Sequence, residues 1–75
     1  MNGLILLHTM HGDSLINVNQ ILHGYVYSEA NTSIVRLTFM NSNTVHLHFS
    51  SQEIAERALV NLFREAVNLR DEAKA

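Results

Sequence analysis

Two histidines one residue apart, His46 and His48 in "TVHLHF", are the residues whose type and spacing come nearest to doing chemistry in this chain. On a β-strand such a pair shares one face with origins about 6.5 to 7 Å apart, close enough for two imidazoles to converge on one zinc or nickel ion. A site needs a third ligand. His23 would supply it if its strand neighbours the one carrying His46 and His48, and His8 and His11 are further candidates. The chain has no cysteine, and apart from Asp13 and Glu29 its acids fall in the C-terminal third. A metal site on His46, His48 and His23 therefore stands beside a plainer reading, in which the same histidines are polar residues on an exposed sheet face.

Tyr25 and Tyr27 repeat the two-residue spacing one strand earlier, where they share a face with His23 and Ile21 and could form a platform for a ligand or peptide. Nucleophilic or acid–base catalysis has no candidates. No serine sits in a Gly-x-Ser-x-Gly elbow, no glycine-rich phosphate loop is present, and no carboxylate pair is spaced for proton transfer. The expectation is a protein that is not an enzyme, with no catalytic or cofactor-binding residues.

The elements that must position these residues follow from the apolar pattern. "LILLHTM" reads as a strand apolar on both faces and so covered on both sides. "HGD" is a turn with Gly12 at positive φ, followed by a short strand "SLINV". Asn19 and Gln20 interrupt, and "ILHGYVY" resumes as a third strand in which Gly24 marks a bulge or a close backbone approach. Beyond the polar loop "SEANTS" come the two clearest strands, "SIVRLTFM" and "TVHLHF", joined by "NSN". With Leu37 opposite Leu47, Val35, Leu37, Phe39, Val45, Leu47 and Phe49 share one face, while Thr38 meets His46 and Arg36 meets His48 on the other.

A helix of about residues 51–72 completes the chain. Ser50 and Glu53 have the spacing of a capping box, with Phe49 and Ile54 as the flanking hydrophobic staple. Roughly 21 helical residues run ~30 Å, longer than a six-residue strand of about 20 Å, so the helix should overhang its sheet. Projected at about 100° per residue, Ile54, Ala55, Ala58, Leu59, Leu62, Ala66 and Leu69 fill one arc, which Val60, Phe63 and Val67 widen past the half-turn. One sheet face cannot cover so wide a stripe. The surplus predicts a homo-oligomeric contact through Leu59, Val60, Phe63 and Val67.

Composition sets the remaining expectations. At 75 residues the chain holds one domain with a modest core, and self-association is the most available source of extra stability. Net charge is −2 with only five lysines and arginines, spread over Arg36, Arg57, Arg64, Arg70 and Lys74, so nucleic acid is not an expected partner. "GLILLH" is too short to span a bilayer and has no basic flank, which favours a soluble, cytoplasmic protein without membrane insertion. The whole reads as an α+β domain, an antiparallel β-meander of four to five strands followed by one long C-terminal helix packed on one sheet face. Its expected role is that of a homo-oligomeric interaction module open to a protein partner.

Gly12, Asn17, Ile21, the Leu37 and Leu47 hairpin core, and Ser50, Glu53 and Ile54 at the helix start follow one another in an order that resembles the small bacterial flagellar FlbD (SwrD) family. That resemblance covers most of the chain. It implies a non-catalytic flagellar accessory protein and carries no catalytic residues with it.

Overall fold

The computed structural model describes the backbone of residues 3–74 and the side chains of residues 3–68. Two antiparallel sheets precede a single helix. Strands β1 (Leu4–Thr9) and β2 (Gly12–Asn17) form a hairpin, while β3 (Ile21–Glu29), β4 (Thr32–Phe39) and β5 (Thr44–Phe49) form a three-stranded meander in the order β3-β4-β5. Helix α1 spans Gln52–Lys74.

Turn chemistry sets each corner. Met10 and His11 turn the first hairpin, and Gly12 takes φ +118°, a conformation that suits a residue without Cβ. Val18–Gln20 make one turn of 3-10 helix, capped by the Asn17 side chain, which accepts the Asn19 N–H. Ala30 and Asn31 carry β3 into β4 with φ of 50° and 63°, the paired positive values of a type I′ turn.

The β4–β5 corner differs from expectation. Ser42 adopts φ 74° and its N–H donates to the Phe39 carbonyl, so the loop closes on Phe39 and Asn43. The register therefore places Leu37 opposite Val45 and Val35 opposite Leu47, two residues away from the Leu37–Leu47 pairing. The faces are unchanged, because a slip of two preserves the pleat.

On the helix side of the meander, Val35, Leu37, Leu47 and Phe49 are buried against Ala55, Ala58, Leu62 and Ala66, and Ile16, Val18 and Ile21 close the core. Alanine at three of those four helix positions lets the backbone lie close to the sheet. Gly24 extends the approach: a Cβ there would stand 2.7 Å from Leu37 Cδ2 and 3.2 Å from Leu59 Cδ1. Of the two alternatives expected at Gly24 the close approach is the one present; Gly24 itself pairs in regular register with Leu37, and the register shift falls earlier, between Ile21 and His23. That bulge turns Ile21 into the core, away from the face that Tyr25 and Tyr27 occupy.

Two further expectations need correction. Ser51, not Ser50, caps the helix: its Oγ accepts the Ile54 N–H at 3.2 Å and its carbonyl accepts the Ala55 N–H. Ser50 is still turning the chain out of β5, and Glu53 pairs with Arg57 instead of closing a capping box. Of the apolar residues of β1 only Ile5 and Leu7 are half-buried. Leu4 and Leu6 are exposed together with Leu15 on β2, because α1 packs chiefly over the meander and leaves the outer face of the hairpin uncovered. Leu69 lies outside the described side chains.

Candidate functional site

Two surfaces emerge from this frame, one on the helix and one on the sheet face turned away from it. On α1, Val60 is 51% and Val67 52% exposed, and with the half-buried Leu59 and Phe63 they line a shallow groove of about 450 Å³ bordered by Arg64 and Asn68. Taken 100° per residue from fully buried Leu62, Phe63, Val67 and Val60 swing progressively out of the core on one flank of the helix. The opposite flank, with Ile54, Arg57 and Asn61, adjoins Leu6 and Leu7 of β1 and Phe49 of β5. The groove lies on the flank toward β3, where Leu59 sits above Gly24. All four residues expected from the surplus apolar arc thus come together in one place.

The outer sheet face holds the histidines. His46 stands opposite Arg36, and Arg36 opposite Tyr25, so a row of imidazole, guanidinium and phenol crosses the sheet. Arg36 Nη1 donates to the Tyr25 hydroxyl at 2.8 Å. This hydrogen bond is the main cause that raises the Arg36 pKa above its ordinary value, so the group is cationic at every working pH. Tyr25 and Tyr27 rings lie 5.8 Å apart between centroids. In the next row His48 stands opposite Ile34, which is buried on this face outside the main core.

The expected metal ligands do not gather. His23 is opposite Thr38, and Thr38 opposite Thr44, which puts β4 between His23 and the β5 histidines. Two strand spacings and one two-residue step separate the His23 and His46 backbones by roughly 12 Å. His48 instead meets His11 from the β1–β2 turn, edge to face with ring centroids 4.7 Å apart, and its carbonyl accepts the Met10 N–H at 2.9 Å. His8 Nδ1 lies 2.6 Å from Asp13 Oδ1 within the hairpin. Among the described residues no group of three or more His, Cys, Asp or Glu side chains is placed to share a metal ion.

The contact of His11 with His48 is a feature that pattern reading could not find. It depends on how the hairpin docks against β5, and no local spacing encodes that. Two polar atoms of this face, Arg36 Nε and His48 Nδ1, are buried without a hydrogen-bond partner among the described residues.

Comparison with family models, with curated proteins and with solved structures found no match. Among the described residues no helix is long and apolar enough to cross a membrane.

Proposed function

We propose that this chain is a non-enzymatic interaction module that works as a homo-oligomer, with the α1 groove of Leu59, Val60, Phe63 and Val67 as its contact. The observation that carries this reading is the groove itself: three successive helical turns present apolar side chains, Val60 and Val67 exposed and Leu59 and Phe63 half-buried, on the flank toward the edge strand β3. A patch of this kind is expensive to leave in water, at about 25 cal/mol per Å² of apolar surface. The core gives a second reason. Among the described residues the core cluster holds eleven buried apolar side chains, three of them alanine, a small store of stability for a chain of this length.

Light scattering over a concentration series tests the reading. Wild-type protein is expected to associate, and Phe63→Glu, which would bury a carboxylate at the contact, to weaken association by at least about 100-fold. A wild type that stays monomeric at millimolar concentration, with Phe63→Glu indistinguishable from it, would defeat the proposal.

A further inference from the structure

Strand β3 is the free edge of the meander. It pairs with β4 on one side only, and its nine residues, "ILHGYVYSE", contain no lysine, arginine or proline and a single carboxylate at the far end. Natural edge strands are normally blunted by such residues or by bulges, and a long edge without them is a template for another strand. The one bulge lies at the start, between Ile21 and His23, and leaves Gly24 to Glu29 in regular register.

This edge and the helix groove lie on the same side of the molecule. Leu59 packs over Gly24, and Phe63 and Val67 continue outward from it along α1. From these observations we infer that the second copy binds by edge-to-edge pairing of β3 with its own counterpart, in antiparallel fashion about a two-fold axis. One six-stranded sheet results, with the two α1 helices side by side on one face. The inference rests on the homo-oligomeric reading above and specifies its geometry.

Simple spacing decides in its favour. Strands of a sheet stand about 4.8 Å apart, so pairing β3 with its copy puts each β3 about 2.4 Å and each β4 about 7.2 Å from the axis. Helix α1 lies over β3 and β4 to an equal degree, and less over β5. With the smaller share over β5 included, its axis then stands about 5 to 6 Å from the two-fold, and the two helices about 11 Å from one another, close to the packing distance of helices in contact. Pairing the edges therefore brings the grooves together without any movement of the helix. Leu59, Phe63 and Val67 are the side chains on the flank that closes. A stable contact of this kind needs about 600 Å² from each copy, a modest part of the 4949 Å² that the chain exposes.

Amide hydrogen exchange, read residue by residue beside light scattering, tests the geometry. In the dimer, alternate β3 amides between Gly24 and Glu29, those turned away from β4, exchange slowly, and dilution to monomer releases them. At a total chain concentration about 100 times the dissociation constant roughly 7% of the chains remain monomeric, so the expected protection is on the order of 10-fold. Phe63→Glu, kept monomeric, shows those same amides fast at all concentrations. A dimer whose outward β3 amides exchange equally fast when dilute and concentrated overturns the edge pairing and leaves the helix contact standing. A chain monomeric throughout overturns both.

Discussion

Gly24 is the residue on which sheet, helix and groove all depend. Replacing it with alanine places a Cβ 2.7 Å from Leu37 Cδ2, 3.1 Å from the Arg36 carbonyl oxygen and 3.2 Å from Leu59 Cδ1. Two of these neighbours are side-chain ends that can move, but the carbonyl belongs to the β4 backbone and cannot. Gly24→Ala is therefore expected to cost about 1 to 3 kcal/mol, seen as a lower denaturant midpoint at constant slope. Because Leu59 yields toward the groove, the variant should weaken association as well. Gly24 was legible in the sequence as a break in a β-rich run, and so were the four groove residues, because both signals are local periodicities. The fate of the histidines was not. Whether His23 reaches His46 depends on strand order, and whether His11 reaches His48 depends on hairpin docking; neither follows from the spacing of residues along one strand.

At the level of elements, the order of five strands and a helix could be read from alternation and from the glycine-free C-terminal run, whereas register and cap positions could not. The β4–β5 register turned on which loop residue accepts the left-handed conformation, and Ser42 takes it with no glycine to announce it. The face of Ile21 turned on a bulge one residue long. The helix start shows how such a difference can be measured. Ser50 and Ser51 are adjacent and chemically identical, yet only Ser51 Oγ accepts a helical N–H, that of Ile54. Ser51→Ala is expected to lower stability by about 1 kcal/mol, and Ser50→Ala to stay within about 0.5 kcal/mol of wild type, in chemical denaturation at fixed protein concentration. Equal effects from the two would assign the cap wrongly.

For the molecule as a whole, folding and association should be one linked equilibrium. The helix leaves part of its apolar face unused, the β3 edge leaves backbone donors and acceptors unused, and the core, eleven side chains among the described residues, is small for the chain that surrounds it. If a second copy binds the folded chain and not the unfolded one, each tenfold rise in protein concentration adds about 1.4 kcal/mol per dimer, or about 0.7 kcal/mol per chain. For a domain of this size that corresponds to a rise in Tm of about 3 to 5 °C per decade of concentration. Phe63→Glu should flatten the dependence, since it removes association while changing a side chain that is only half-buried in the folded chain. Calorimetry from micromolar to millimolar protein checks both slopes. A wild-type Tm that does not move with concentration would mean that the folded monomer stands on its own core, and the groove and the free edge would then have to be accounted for by a partner other than this chain.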